Sequence, residues 1–369
     1  MKVGIIAAKT GNGHISVMNA LKEEFERQGE KDIYCFPSFY EDMMVSNKIL
    51  SDFYNFLMVN SVALCEKYCE FTYMTRPDLS QDFYDGVKEY IYLFLIEHKF
   101  DILISVSHTI NAAIIRVIRE HSELSNIKFC VVVTDPYEPI AVGFAVEGAD
   151  KYYCATDVVK NILTRANIAT QKIVESGYPI SYRFQLICEN SICEELGFDK
   201  QKPIILLNAG SQGIYHYFDM LKKLVEISCE LQIIVICGKN LTLYNQCQKI
   251  VKKRRCEDNI KVLGFVDNIE MYMNICDLVI TKAGANAIYE ALMEKKPILI
   301  DAIDGFLFQE RGIQKLLEKH DFGLILENVD KIESNIKRIL DNKKYYINNI
   351  IKMDLHNGSY KIINDIKNL

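Results

Sequence analysis

Residues that could do chemistry are concentrated where apolar strands end and helices begin. The stretch TKAGANAIYEALMEKKPILI, residues 281–300, follows the apolar run CDLVI and has Gly284 at its turn. Main-chain N–H groups at a helix start lack partners and carry a partial positive charge, so an anion is the natural occupant. Glu290 lies one helical turn after Asn286, where its two oxygens could accept both hydroxyls of a ribose. The segment predicts a diphosphate and ribose site, with a plain helix start as the alternative.

Three more turns in the second half of the chain have suitable chemistry. NAGSQG, residues 208–213, offers small residues and main-chain N–H groups in a phosphate-sized opening. CGKNLTL, residues 237–243, supplies a glycine, a cation and an amide. LGFVDNI, residues 263–269, places Phe265 and Val266 after a strand, where a flat base could bind. Ligands of open α/β sheets bind at the carboxyl ends of the strands, so these turns predict one common site.

The first half of the chain offers candidates for a general base. KTGNGHIS, residues 9–16, ends in His14 at a helix start, where the imidazole could accept a proton and where the helix should lower its pKa. A capping or packing histidine is the alternative. His108 in SVSHT and Asp135 in VTDPYEP each follow a strand and are further candidates.

Other site classes are disfavoured by what these motifs lack. The first turn has Ser16 where a dinucleotide fingerprint has its third glycine, and no acidic residue closes the second strand, so a dehydrogenase is unfavoured. No set of His, Asp or Glu shows metal-ligand spacing, and we expect no bound metal. Neither a nucleophile elbow nor a Walker loop occurs.

Alternating strands and helices must position these residues. Short apolar runs such as KVGIIAA, DILISV, PIILLNA and DLVITK read as buried parallel strands separated by amphipathic helices. The rhythm breaks once, around residues 175–203. We therefore predict an α/β fold of two Rossmann-like, doubly wound domains facing each other across a cleft. The predicted limits are residues 1–178, a linker at 179–202, a second domain at 203–341 and a helical tail at 342–369.

Residues 40–98 depart from this alternation and predict a helical insertion rich in aromatic residues. Its stretch DFYNFLMVNSVALCEKYCEFTYM suits either a helical layer packed on the sheet or a lid whose apolar face meets lipid. The packed layer is the simpler interpretation.

Composition narrows the partners and the compartment. A net charge of −6 over 369 residues argues against nucleic acid. One basic cluster, KIVKKRR at residues 249–255, could attract anionic lipid, although a solvated helix end is the favoured interpretation. The twelve cysteines lie singly in apolar runs, which predicts free thiols and a cytoplasmic location. No signal peptide or run of roughly 18–20 apolar residues is present, so we expect any membrane role to be peripheral.

The order of these motifs resembles the family 28 glycosyltransferases of GT-B fold. Within that family the chain is most similar to the monogalactosyldiacylglycerol synthases and the bacterial diacylglycerol glucosyltransferases. The resemblance rests on TGNGHIS, DKYYCATDVVKNIL, SGYPI, VICGKNLTL, VLGFVDNIEMYMNICDLVITKAGANAIYEALMEKKPILI and FQERG. It spans most of the chain and is strongest from about residue 204 to residue 323.

The resemblance implies a UDP-sugar site in the second domain and an acceptor site in the first. Uracil would contact 264–266, the diphosphate 284–287, the ribose Glu290, and the hexose hydroxyls Gln309 and Glu310. The full set of predicted donor ligands is Gly13, Gly210, Ser211, Gln212, Gly238, Lys239, Asn240, Gly264, Phe265, Val266, Lys282, Ala283, Gly284, Ala285, Asn286, Ala287, Glu290, Gln309 and Glu310. His14 and Asp135 are the predicted catalytic residues.

The chain departs from the family pattern at three places. Its first loop has fewer glycines than usual, and TDPYEP lacks the histidine and tryptophan that often follow in the lipid-modifying members. Gly312 stands where related sequences commonly have asparagine. These departures affect the predicted identity of the acceptor and of the sugar, and they leave the prediction of UDP binding unchanged.

We therefore predict an inverting hexosyltransferase that moves a sugar from UDP to a diacylglycerol-type membrane lipid without a cofactor. Such an enzyme would work in the cytoplasm, with attachment to an anionic inner membrane surface as one option. Two alternatives remain open. One is a transferase with a soluble or polyprenyl acceptor, and the other is a UDP-sugar-binding protein without catalysis.

Overall fold

The chain divides into two compact units, each built on its own parallel sheet. The computed structural model describes residues 1–10, 12–186, 191–210, 213 and 216–369. The first unit contains residues 1–182, 307–313 and 356–369, and the second contains residues 183–306 and 314–355. The domain limits predicted from the sequence stay predictions.

The first unit contains a sheet of six parallel strands. Its strands are β1 Val3–Ile6, β2 Ile33–Phe36, β3 Ile102–Ser105, β4 Lys128–Val132, β5 Lys151–Cys154 and β6 Ile173–Glu175. The spatial order is β2-β1-β3-β4-β5-β6, and the inner strands are buried on both faces, as continuous apolar runs predict. Strand order reverses between β1 and β3. Their carboxyl ends therefore form the position where ligands bind in doubly wound folds.

Seven helices precede the second unit. They are α1 Gly13–Arg27, α2 Phe39–Met43, α3 Val45–Asn60, α4 Val62–Thr75, α5 Gln81–His98, α6 Asn111–Glu120 and α7 Asp157–Arg165. The helices α2 and α5 bury Phe39, Tyr84, Ile91 and Phe94 in the core of the first unit. This half of the helical insertion is a packed layer.

The hairpin of α3 and α4 is different, because much of its apolar surface faces solvent. Its exposed apolar side chains are Val45, Ile49, Leu50, Phe53, Phe56, Leu64, Phe71, Tyr73 and Met74. Apolar surface on this scale is unusual for a monomeric protein and marks an interaction surface. One half of the insertion is therefore the predicted packed layer, and a lid that meets lipid stays a prediction for the other half.

The second unit has the same architecture. Its strands are β7 Ile204–Asn208, β8 Gln232–Ile236, β9 Ile260–Leu263, β10 Leu278–Lys282, β11 Ile298–Asp301 and β12 Gly323–Leu326. They are parallel in the order β12-β11-β10-β7-β8-β9, so the order reverses between β7 and β10.

The remaining helices of the whole chain are α8 Ser191–Glu195, α9 Tyr217–Leu224, α10 Leu241–Arg254, α11 Ile269–Ile275, α12 Ala285–Met293, α13 Arg311–His320, α14 Ile332–Asp341, α15 Lys343–Lys352 and α16 Gly358–Ile366. Of these, α16 belongs to the first unit.

The predicted α/β fold with two doubly wound sheets is confirmed, with two strands added. Both added strands lie at sheet edges: β6 is only three residues long, and β12 begins at a glycine, so neither gives a clear strand pattern. All eleven cysteines of the described chain are free, as predicted. Among the described helices, none has the length and apolar composition needed to span a bilayer.

Candidate functional site

His14 lies at the point of the first sheet where strand order reverses. It is the second residue of α1, directly after the turn that leaves β1, and Gly13 before it is exposed. The imidazole hydrogen bonds to the main chain of Val106, which follows β3, and its Nδ1 lies 3.3 Å from Thr134 Oγ1. The ring of His108 lies 6.0 Å away between centroids. The ends of β1, β3 and β4 thus bring the predicted histidines together.

Burial controls the charge of both histidines. It lowers the pKa of His14 to about 4, against a smaller opposing effect of the hydrogen bond to Val106. It lowers the pKa of His108 to about 3, with the neighbouring His14 adding to the shift. Both rings are therefore neutral at pH 7 and can act as acceptors. The predicted direction for His14 is confirmed, but burial is the main cause rather than the helix start.

Asp135 is the second acid–base group on this edge of the sheet. Its Oδ2 accepts a hydrogen bond of 2.6 Å from the Ala141 N–H. Burial raises the pKa of Asp135 to about 6, and the bond from Ala141 opposes that shift. Asp135 follows Thr134 in the chain, so a carboxylate and an imidazole of unlike pKa come from adjacent loops. Such pairs are typical of acid–base sites.

Gln309 and Glu310 are grouped with the first unit. Glu310 Oε2 accepts a hydrogen bond of 2.9 Å from the Leu307 N–H, and Gln309 hydrogen bonds to Cys69 on α4. The neighbouring Arg311 pairs with Glu66 on the same helix. Their predicted contacts with a hexose stay predictions.

The departure from the family pattern at Gly312 has a packing cause. A Cβ atom at this position would lie 3.0 Å from the Tyr137 carbonyl oxygen and 3.2 Å from that of Glu138. Both carbonyls belong to the TDPYEP loop. An asparagine at residue 312 would therefore displace the loop that carries Asp135.

In the second unit, the turn after β10 opens onto α12. Gly284 is the N-cap of this helix with φ −70°, a torsion that any residue adopts, and a Cβ there would meet nothing within 4 Å. The glycine is therefore not needed to bend the chain, but it leaves room for a ligand. The predicted donors Ala285, Asn286 and Ala287 form the first turn of α12, and their N–H groups have no acceptor within the helix.

Glu290 lies in the second turn of α12, and its carboxyl group has a shifted pKa. Burial and the nearby Glu270 raise its pKa to about 7, while Arg183 acts in the opposite direction. Arg183 Nη1 donates hydrogen bonds of 3.0 Å to Glu270 Oε1 and 2.9 Å to the Asp267 carbonyl. Sequence patterns did not identify Arg183 or Glu270, because the two lie 87 positions apart.

The turns after β7 and β8 are joined to each other. Asn240 Oδ1 caps α10 by accepting from the Leu243 N–H at 2.9 Å, and its Nδ2 donates to the Gly213 carbonyl at 2.8 Å. Gly210 and Gly238 have φ of +73° and +58°, which favours glycine at both turns. The predicted ligands Ser211 and Gln212 lie outside the described residues. Asn240 therefore holds the turn, and its predicted ligand role stays a prediction.

The predicted uracil position has one exposed aromatic face. Phe265 is 57% exposed, and Lys239 Nζ lies 5.3 Å from the centroid of its ring. Gly264 and Val266 on either side are partly buried. This surface suits stacking of a flat base beside a cation.

A histidine that the sequence analysis missed bridges two ends of the same sheet. His216 lies just before α9, and its Nε2 is 2.7 Å from Asp301 Oδ2 at the end of β11. Its Nδ1 is 2.9 Å from Asp304 Oδ2. Burial alone would lower the pKa of His216, but the bond to Asp301 and the two carboxylate charges raise it. Because β10 lies between β7 and β11, the bridge spans the end of β10, where Lys282 is placed.

The described donor candidates from Gly210 to Glu290 thus lie at the ends of β7, β8, β9 and β10, where Ala283 is buried. Gly13, Gln309 and Glu310 belong to the first unit and are not part of this group. Within the described residues, no group of three His, Cys, Asp or Glu could hold a metal ion. The arrangement offers main-chain N–H groups, a cation and a carboxylate to an anionic ligand that has hydroxyls.

Two families match most of the chain between them. Residues 14–180 match the family described as monogalactosyldiacylglycerol (MGDG) synthase. Residues 204–366 match the glycosyltransferase family 28 C-terminal domain.

Similar proteins agree with these matches. The chain is 25% identical to a processive diacylglycerol beta-glucosyltransferase of Bacillus licheniformis, over 98% of this chain and 93% of the relative. It is 27% identical to the protein of that name from Staphylococcus carnosus, over 86% of this chain and 81% of the relative.

Solved structures of the same fold include MurG of Acinetobacter baumannii, with a TM-score of 0.61, 16% identity and coverage of 100% and 99%. The S. aureus MnaA–UDP structure has a TM-score of 0.60, 14% identity and coverage of 100% and 96%. The predicted GT-B fold is confirmed. The predicted resemblance to the family 28 glycosyltransferases is confirmed by the two family matches and by these relatives.

Proposed function

We propose that the protein is an inverting glycosyltransferase that moves a hexose from a UDP-sugar to a diacylglycerol-type membrane lipid. The oxygen of the acceptor hydroxyl attacks the anomeric carbon and forms the new glycosidic bond. The bond from that carbon to UDP breaks, its electron pair leaves with UDP, and a base takes the hydroxyl proton. One displacement of this kind inverts the anomeric centre.

The observation that carries the proposal is the strand-end arrangement of the second unit. The first turn of α12 offers N–H groups to the diphosphate, and Glu290 lies one turn further for the ribose. Phe265 and Lys239 offer the uracil an aromatic face and a cation. Stabilisation of the departing UDP by helix N–H groups requires no metal.

The first unit supplies the acid–base groups. His14 is neutral at pH 7 because its pKa is about 4, and Asp135 is ionised above its pKa of about 6. Either group is therefore in its basic form at neutral pH. We assign proton removal from the acceptor to this pair, with His14 as the leading base and His108 as its neighbour.

We place the lipid surface against the hairpin of α3 and α4. Phe53 and Phe56 are 48% and 60% exposed, and the stretch from Phe53 to Cys65 contains no charged residue. An uncharged apolar stretch at the turn between the two helices suits the interface of a bilayer that contains the acceptor. The basic residues 249–255 are exposed at the last turn of α10 and offer a second contact with anionic headgroups. The protein would then work at the inner face of the cell membrane.

Transfer from UDP-glucose and UDP-galactose to diacylglycerol in vesicles tests the proposal. We expect radiolabelled glycolipid from the wild-type chain, with the larger rate identifying the sugar. The double variant Phe53→Ser and Phe56→Ser should lower vesicle binding about tenfold or more, because two large side chains no longer leave water. Tyr345→Ser, at an exposed aromatic on α15, is the matched control.

Two outcomes would overturn this assignment. Transfer to a water-soluble acceptor at full rate, with no vesicle binding, would assign a soluble acceptor instead. UDP binding with no product from any lipid fraction would leave a protein that binds UDP-sugars only.

A further inference from the structure

The turn that leads to His14 is held from outside by the helical insertion. Lys9 lies in this turn, and its N–H donates a hydrogen bond of 2.8 Å to Glu41 Oε1 on α2. The carbonyl of Lys9 accepts a hydrogen bond of 2.8 Å from Asn55 Nδ2 on α3. Both main-chain groups of one residue are thus bound by side chains 32 and 46 positions away. Neither bond belongs to a regular helix or strand.

A third side chain ties the two helices together at this point. Ser51 Oγ on α3 donates a hydrogen bond of 2.6 Å to the same Oε1 of Glu41. Ser51 is 2% exposed and Glu41 is 9% exposed, so this contact is largely shielded from water. Ser51 and Asn55 are four residues apart and therefore lie on one face of α3.

The contact leaves two polar atoms without partners in the described structure. Glu41 Oε2 and Thr10 Oγ1 are both buried with no hydrogen bond. Buried polar atoms are nearly always hydrogen-bonded, and an exception requires a physical explanation. These two atoms can gain partners if the contact between Lys9 and α2 rearranges, so the contact is a suitable place for a conformational change.

Another face of α3 carries the exposed apolar side chains. Ile49, Phe53 and Phe56 follow one another at intervals of four and three residues, and each is about half or more exposed. One rigid helix therefore carries the proposed lipid contact on one side and the bonds to the Lys9 turn on another. A displacement or ordering of α3 at a bilayer is transmitted directly to the turn that begins α1.

We propose that α3 couples lipid binding to catalysis, with Glu41, Ser51 and Asn55 as positioning residues that set the turn before His14. The inference rests on the proposed function. When the apolar face of α3 enters the lipid surface, Asn55 and Glu41 fix Lys9 in the geometry that the reaction requires. Without a bilayer, these two contacts of Lys9 are made only part of the time and His14 is placed less accurately. Small errors of placement of a reacting group cost large factors in rate.

Asn55→Ala and Asn60→Ala form a matched pair for the test. Both asparagines lie on α3, but the Nδ2 of Asn60 donates to Phe56 O of its own helix at 2.8 Å. Asn55→Asp provides a second test variant, because it keeps the side-chain size and removes the donor to Lys9. All three full-length variants are measured in vesicles of phosphatidylcholine with diacylglycerol.

We expect Asn55→Ala and Asn55→Asp to bind vesicles like the wild type and to lose about tenfold to hundredfold in kcat, with donor KM nearly unchanged. Amide hydrogen exchange supplies a readout that does not depend on turnover. Vesicles should slow exchange at Lys9 and Thr10 in the wild type and in Asn60→Ala, and should do so much less in the Asn55 variants.

The outcomes separate this inference from the proposed function. A wild-type chain that transfers hexose, with Asn55 variants equal to it in kcat and in exchange, would overturn the coupling alone. Vesicle-dependent protection of Lys9 that requires Asn55, in a chain that glycosylates no lipid, would support the coupling and overturn the proposed function. Loss of vesicle binding in the Asn55 variants would also overturn the coupling, because Asn55 would then act in docking to the membrane.

Discussion

The two sheets place their sites at equivalent positions but use different chemistry there. Where strand order reverses in the first unit, the important groups are side chains whose pKa is changed by burial: His14, His108 and Asp135. Where it reverses in the second unit, they are main-chain N–H groups of exposed turns at Gly210 and Gly284. In our proposal, the same topology thus provides a proton-transfer site in one unit and an anion-binding site in the other.

The difference follows from what each task requires. A general base must have a pKa matched to its reaction, and removal from water is the strongest means of shifting it. Binding of a diphosphate requires donors that remain accessible until the ligand arrives. Glu290 is the exception, since it is a binding group in the second unit whose pKa is raised to about 7. The experiments below test whether the comparison holds and whether Glu290 is a true exception.

Removal of a base in the first unit should have the largest effect. We expect His14→Ala to lower kcat about 10²-fold to 10⁴-fold with little change in UDP affinity, because the side chain acts on the proton alone. Initial rates at saturating donor, together with calorimetric UDP binding, measure the two effects. His121→Ala, at a partly exposed histidine away from this edge, is the control.

The pH profile of kcat decides which group accepts the proton. A fall in rate only below about pH 4 would assign transfer to His14, and a fall below about pH 6 would assign it to Asp135. The carboxylate is the basic form of Asp135. If the wild-type rate falls below about pH 6, Asp135→Asn should therefore abolish that part of the pH dependence. Unchanged kcat in both variants would show that neither residue is the base.

Truncation of Glu290 should have the next largest effect, and on binding rather than on rate. Two charge-assisted hydrogen bonds to the ribose predict a loss of UDP affinity of about tenfold to hundredfold in Glu290→Ala. The wild type should bind UDP more tightly as pH rises from 6 to 8, since the acceptor form of Glu290 predominates only above its pKa of about 7. Titration calorimetry across this range measures both effects.

Two variants complete the test of Glu290. Glu294→Ala, one turn further along α12, should leave UDP affinity and its pH dependence intact. Glu270→Gln should shift the pH dependence to lower pH, because the charge of Glu270 helps to raise the pKa of Glu290. If Glu290→Ala keeps the wild-type affinity at every pH, the ribose assignment is wrong.

The smallest effect is expected at His216, which stabilises the second unit rather than binding a ligand in our interpretation. Its pKa is raised in the folded state, so its stabilising effect is complete below the unfolded value of 6.5 and is lost as pH rises through the folded pKa. We expect His216→Asn to lower the free energy of unfolding by about 1–2 kcal/mol at pH 6 and by less at pH 9. Denaturant unfolding of the wild type and of His216→Asn at the two pH values measures this difference. An equal loss of unfolding free energy at pH 6 and pH 9 would contradict the role of the imidazole charge.

Local sequence was sufficient for the fold, and it also led to the proposed location of both sites. Short apolar runs that alternate with amphipathic segments predict buried strands and the helices between them, and ten of the twelve strands coincide with such runs. The family resemblance that rests on these turns is confirmed by the two family matches. The roles of individual site residues remain predictions that the experiments above test.

The sequence by itself determined the two doubly wound sheets and the family resemblance, because each depends on residues close together in the chain. Only the tertiary structure decided the charge states of His14, Asp135 and Glu290, since a pKa depends on all the atoms that exclude water from a group. It also decided the partners of His216 and Lys9, which lie 85 and 32 positions away in the chain. Contacts of this range are fixed by how helices pack on a finished sheet, and no local pattern encodes them.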